Sequence, residues 1–249
     1  MYQTDSVFYA ELAPLEFQER LAACPVAYLP LGTLEWHGPQ LPLGTDLLEG
    51  HALFTLAAKQ FGGIVMPGLF VGPDRHVRKD GVDYYGMDVY IDVARSPAYY
   101  PLQQLPGSAY RIPDDLFDRL LESIISQLAR AGFRVVVGYG HTPSNDRFLA
   151  LADRMWDLYR VRLIMPDSGL EDYAYIEDHG SKSETSNIMY FYPELVHMDR
   201  LPADPCEFAP GMGGMDPRGS ACPEYTGKKL PAILEHLGKC IREALENCQ

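Results

Sequence analysis

The stretch IPDDLFDRLLESIISQLARAGFRVVVGYGH, residues 112–141, limits what this chain can fold into more than any other. Leu116, Leu120, Leu121, Ile124, Ile125 and Leu128 recur at helical spacing and predict one apolar stripe. Pro113 and two aspartates suit a helix start, Arg130 its last turn and Gly132 its end. An apolar β-branched run follows at once, RVVVGYG, and reads as a buried strand. A long helix feeding directly into such a strand is half of a parallel crossover unit.

The same alternation recurs along the chain. CPVAYLPLG (24–32), GGIVMPG (62–68) and VRLIMP (161–166) read as strands. DLLEGHALFTLAAKQF (46–61), DRFLALADRMWDLYR (146–160), the start of SETSNIMYFYPELV (183–196) and KKLPAILEHLGKCIREALENC (228–248) read as helices. The expectation is an α/β fold, a three-layer α/β/α arrangement with a mostly parallel central sheet, as one domain over 1–249. Two stretches break the pattern: 72–111, rich in Tyr, and 201–226, rich in Gly, Pro and Met. The first reads as an insertion that lines a site or forms a subunit contact.

Composition narrows the function. The formal net charge of −13 argues against nucleic acid, whose backbone needs a basic face. It leaves divalent cations open, since acidic sites attract them. No run of 18 apolar residues is present, so no membrane span is expected. The start, MYQTDSVFYAEL, has no basic flank before an apolar run and so does not read as a secretory signal. The five cysteines are scattered, odd in number and without a C-x-x-C pair, which fits reduced thiols in a cytoplasmic protein.

Chemistry-bearing residues gather in three places. In LGTLEWHGPQLPLGTD (31–46), an extended backbone would point Glu35 and His37 to one side and Trp36 to the other. The Gly/Pro loop behind them can return Asp46 to the same spot, beyond the end of a strand, where α/β sheets bind ligands. Carboxylate and imidazole together suit zinc, manganese or iron. A hydrogen-bonded Glu–His pair steadying a loop is the plain alternative. His141 stands just past a second strand end. In DHGSKSETSN (178–187), His179 precedes a helix whose first turn holds Glu184, where the helix dipole favours a carboxylate in any case. Ser183, Thr185 and Ser186 are candidate capping or supporting groups.

Taken in order, these clusters resemble the creatininase (creatinine amidohydrolase) family. GTLEWHGPQLPLGTD is similar to the family's G-[ST]-x-E-x-H-G-P-H-L-P-L-G-T-D. YGHTPSN is similar in part to N-G-H-G-G-N, and HGSKSETS to H-A-G-x-x-E-T-S. LPGS (105–108) and GMDPRGSACPEYTGKK (214–229) are weaker echoes. Together they span roughly 26–246.

The resemblance implies a metal-dependent amidohydrolase with two divalent ions per chain, zinc, manganese or iron. A metal-bound hydroxide would cleave a non-peptide amide C–N bond of a small molecule, a cyclic amide included. Glu35, His37, Asp46 and His141 match metal ligands, with Asp46 bridging. Glu184 matches a carboxylate completing the site, and His179 a histidine exchanging protons with substrate. The turn after His141, with Thr142, Ser144 and Asn145, and His76 of the Tyr-rich stretch are the candidate substrate contacts. A homo-oligomer, hexameric in many members, is also implied.

Departures from the pattern are local. Gln40 stands where the family has His, and Tyr139 where it has Asn. Pro143 stands where creatinine-hydrolysing members carry Glu, which points to a substrate other than creatinine. Deformylation of a formamide, cleavage of a peptide tail and a non-catalytic metal- or metabolite-binding role are the alternatives.

Overall fold

The computed structural model describes residues 6–89, 103–166, 178–204, 207 and 209–248. Four strands form one parallel sheet: β1 (Val26–Leu31), β2 (Ile64–Val65), β5 (Val135–Gly140) and β6 (Arg162–Ile164), in the order β2-β1-β5-β6. All six residues of β1 are buried. Ala27, Leu29 and Leu31 face one layer, and Val26 and Tyr28 the other. Burial on both faces is why these strands read as continuous apolar runs.

The first layer holds α3 (Asp114–Ala131), α4 (Thr142–Ala150) and α5 (Ala152–Tyr159), packed through Phe117, Leu121, Ile125, Phe148 and Met155. The second holds α2 (Thr45–Phe61) and α7 (Pro223–Glu246), packed through Phe54, Ala57, Leu237 and Ile241. α1 (Pro14–Ala23) adds Phe17 and Leu21 to the rim of the first layer, and α6 (Lys182–Phe191) leads toward α7. The expected three-layer α/β/α arrangement is observed. Among the described residues, no helix is long and apolar enough to cross a membrane.

Three expectations shift. The inward row of α3 is Phe117, Leu121, Ile125 and Leu128, while Leu116 is 43% exposed; the bulky Phe117 takes the core position. The helix expected over 146–160 begins at Thr142 instead, because Pro143 in a first helical turn lacks only an N–H that would find no partner there. It breaks at Leu151, whose N–H turns back to the Phe148 carbonyl in a tighter 3₁₀ bond. α7 starts at Pro223, earlier than the expected 228, with the same use of Pro at the first position.

The stretch 72–111 is not wholly irregular. Its first part is a hairpin of β3 (His76–Lys79) and β4 (Val82–Tyr85), turned by Asp80 and Gly81, both with positive φ. Tyr84 and Tyr85 lie on it; Tyr90, Tyr99 and Tyr100 lie outside the described residues.

What positions the site is register. Val26 pairs with Val135 and Leu31 with Gly140, so β1 and β5 end side by side. Residues 32–38 and His141 therefore leave the sheet at one common edge. The chain after β2 keeps alongside, with Leu69 bridging to Leu31, and then carries residues 72–74 toward that edge.

Candidate metal centre

Beyond the shared strand ends, the described residues form three groups, in each of which the potential ligand atoms lie within 4.8 Å of one another: Glu35, Asp74 and His141; His37, Asp46 and Glu184; and Glu35, His37 and His179. The groups overlap and form one buried cluster. Glu35 Oε1 is 3.1 Å from His141 Nε2 and 3.8 Å from His179 Nδ1. His37 Nε2 is 3.4 Å from Asp46 Oδ2 and 3.8 Å from Glu184 Oε2.

Local backbone explains each placement. Glu35 and His37 do point to one side, and both are buried. Trp36 points away, its indole N–H donating to the Pro106 carbonyl at 2.5 Å. His37 Nδ1 sits 3.2 Å from the Glu35 carbonyl, which directs Nε2 into the cluster. Asp46 stands in the first turn of α2, and Glu184 in the first turn of α6. The Glu184 carboxylate also accepts the Gly180 N–H at 2.5 Å. His179 stacks on His37 with ring centroids 4.2 Å apart, and its Nε2 lies 2.5 Å from the Trp36 carbonyl. Gly180, at φ +61°, passes so close to the His37 backbone that a Cβ there would overlap it.

Gln40 locks the two halves together. Fully buried, it donates from Nε2 to the Gly180 carbonyl at 2.6 Å and to Thr185 Oγ1 at 3.3 Å. Gln40, one of the departures from the family pattern, thus braces the turn between His179 and the start of α6, where Glu184 lies.

The electrostatics are those of a crowded, dry site. Burial and the Asp46 charge push the Glu184 carboxyl up to about 8, against the opposing pull of His37. Burial and the charge of Glu35 raise Asp74 to about 7. Glu49 lies one turn after Asp46 on α2; burial, with Glu184 and Asp46 nearby, raises it well above the carboxylate range. Burial alone would raise Glu35, but the His141 charge leads the groups that hold it well below that range. Burial would lower His141, yet Glu35 lifts it to about 9. His37 is likewise raised well above its usual value against burial, by Asp46 and Glu184. Burial, with the His37 charge beside it, lowers His179 to about 4, leaving a neutral ring.

Five carboxyl groups share this cluster with three imidazoles. Burying so many acids is costly unless cations balance them. His37 Nε2 and Asp46 Oδ2 are buried without a hydrogen-bond partner. Orphaned ligand atoms facing one another, of mixed nitrogen and oxygen type, fit divalent zinc, manganese or iron.

All five residues expected as ligands (Glu35, His37, Asp46, His141 and Glu184) come together, with His179 against them. The expected substrate contacts fare differently. Ser144 is fully buried, its hydroxyl spent on the Gly32 carbonyl at 2.5 Å. Asn145 donates from Nδ2 to the Gly140 carbonyl at 2.7 Å and so braces the turn behind His141. Thr142 is exposed at the first position of α4. His76 is committed to the exposed hairpin, 2.7 Å from Asp83 and stacked on Tyr85. Ser183, Thr185 and Ser186 do not cap α6 with their side chains; Asp178 Oδ2 accepts the Ser183 N–H instead. Sequence reading missed Asp74 and Glu49. Asp74 follows a Gly-Pro turn past a third strand, and Glu49 lies three residues after Asp46 on a helix, the spacing that puts two side chains on one face.

These features agree with what the chain resembles. The family model described as creatinine amidohydrolase matches residues 10–227. The chain belongs to the creatininase family. It is 26% identical to a creatinine amidohydrolase of Pseudomonas putida, over 96% of this chain and 97% of that one. A solved creatininase described as a manganese form superposes with a TM-score of 0.70 at 25% identity, covering 96% of this chain and 98% of that chain. A mutant creatininase of zinc–zinc type gives a TM-score of 0.69 at 25% identity with the same coverage.

Proposed function

We propose that this chain is a metal-dependent amidohydrolase acting on a non-peptide amide of a small molecule. The observation that carries the reading is the pair of ligand sets, Glu35 with His141 and His37 with Glu184, with Asp46 set among them. When bound, divalent ions in such a set polarise an amide carbonyl and acidify a water. The chain's own residues do the rest. Glu35 and His141 would hold one ion and His37, Asp46 and Glu184 the other, with Asp46 the residue that would bridge them by family resemblance. The His37 ring is aimed by the Glu35 carbonyl, so no reorientation is needed on binding. His179, neutral and with Nδ1 on the Glu35 side, is placed to take a proton and return it to the departing nitrogen. Burial of Glu35, His37, Asp46 and His141, with Glu184 part-buried beside them, limits bulk water and strengthens these electrostatic interactions.

Pro143 favours a substrate other than creatinine, and a formamide is the second reading. The chemistry is the same, and the released acid differs.

The test is metal content per chain, with turnover on an amide panel read as formate release against ring opening. Wild type should hold close to two ions and turn over one class; Asp46→Ala should lose both ions and all turnover. Full turnover in that variant, or no ion bound after reconstitution with zinc, manganese and iron, would overturn the reading.

A further inference from the structure

We infer that Asp74 is a ligand of the ion held at the Glu35–His141 end of the site, a carboxylate delivered by the root of the hairpin. The inference rests on the metal-dependent reading above and adds a residue that none of the three motifs contains. Its Oδ1 lies 3.9 Å from His141 Nε2, the same nitrogen that faces Glu35 Oε1 at 3.1 Å. Asp74, Glu35 and His141 each offer an atom within one 4.8 Å group. The Asp74 side chain is only 6% exposed, although the hairpin that follows it is open to solvent.

The carboxylate is held in place from behind. Oδ1 accepts the Arg75 N–H at 2.8 Å, and the Gly86 N–H closes the hairpin root on the Arg75 carbonyl at 2.9 Å. Gly86 makes the room: a Cβ there would overlap the Asp74 carboxylate. A carboxylate whose only task was to close the root could stay at the surface, where water would solvate it. This one is turned inward, against an imidazole and a second carboxylate, in a cluster that already contains buried atoms without partners. A cation is what makes that position favourable.

The consequence is an asymmetric centre. Asp74 and Glu184 flank it from opposite ends, one from the β3–β4 root and one from α6. The end with Glu35, Asp74 and His141 is the richer in oxygen, the donor set that suits manganese. The end with His37 and Glu184 keeps one imidazole per carboxylate.

Asp74→Asn separates a ligand from a turn residue. Its amide oxygen still accepts the Arg75 N–H, but it carries no charge. Metal-free wild type, Asp74→Asn and Glu184→Ala are titrated with manganese, and free manganese is followed by its electron paramagnetic resonance signal. Circular dichroism of each metal-free protein checks the fold. In Asp74→Asn, one of two ions should bind about tenfold more weakly or worse, with the other unchanged. In Glu184→Ala, the loss should fall on the other ion. Gly86→Ala, which crowds the carboxylate without removing it, should weaken the same ion as Asp74→Asn. Wild-type affinity for both ions in Asp74→Asn and Gly86→Ala would overturn the inference and leave the two-ion reading standing. Wild type that binds no manganese, zinc or iron would overturn that reading, and this inference with it.

Discussion

The strand-end floor of the site and the hairpin beside it are both β-structure, yet opposite forces hold them. Every residue of β1 is buried, and its partner β5 packs Val135, Val136 and Val137 into the same core. All four residues of β3 are exposed, and the hairpin is held by turn chemistry and polar contacts. These are the Asp80–Gly81 turn, the His76–Asp83 pair, the stack of His76 on Tyr85, and Arg111 over Tyr85 at 4.2 Å. A floor made of close-packed apolar side chains fixes Glu35, His37 and His141 because none can move without opening a void. The hairpin can vary at its tip, and only its root touches the site. Precision and tolerance are therefore divided between two elements built of the same secondary structure.

Substitutions that probe this division should differ sharply in cost. Phe117→Ala, in the layer under the floor, should destabilise the protein by about 3–5 kcal/mol in denaturant unfolding. A cost below about 1 kcal/mol would mean the floor is not rigid. Gln40→Ala, at the clamp between the floor and the Gly180 turn, should cost about 1–3 kcal/mol by leaving the Gly180 carbonyl buried without its donor. It should also weaken metal at the Glu184 end more than at the His141 end, as isothermal titration would show. Equal weakening at both ends would remove Gln40 from its bracing role. His76→Ala, on the open hairpin, should change stability by under about 0.5 kcal/mol and leave metal content at the wild-type value. A large loss of metal there would put His76 back in the site.

The layer order and the ligand loop were legible because they depend on local pattern. Short apolar runs ending in Gly, with helices between them, dictate a parallel sheet and place residues past its strand ends. Glu35, His37 and His141 lie just past those ends and Asp46 in the first turn of the helix that follows the first loop, and all four were legible as candidates. Asp74 was not, because β2 is only two residues long and the link to the site runs through isolated bridges that no periodicity announces. Glu49 escaped because a carboxylate on an amphipathic helix ordinarily faces water, and only tertiary packing turns this one inward. The hairpin carried a readable signal in Asp80–Gly81, masked by the Tyr-rich composition around it. The roles that Ser144 and Asn145 have in the fold were hidden for a related reason. Polar residues beside a buried histidine look like substrate contacts, but here the Ser144 hydroxyl donates to the Gly32 carbonyl past β1 and the Asn145 amide to the Gly140 carbonyl.

The antiparallel pairing of His179 with Gly213, N–H to carbonyl in both directions at 2.7 Å, bears on how the molecule is made. Synthesis runs from the first residue to the last, so Glu35, His37, Asp46, Asp74 and His141 all emerge before either partner of that pairing exists. Until the Gly213 segment arrives, the acids meet without His179 and Glu184 being held over them. The acidic cluster is then closed over only after the Gly213 segment has emerged, and a chain interrupted before it would leave those carboxylates open to water.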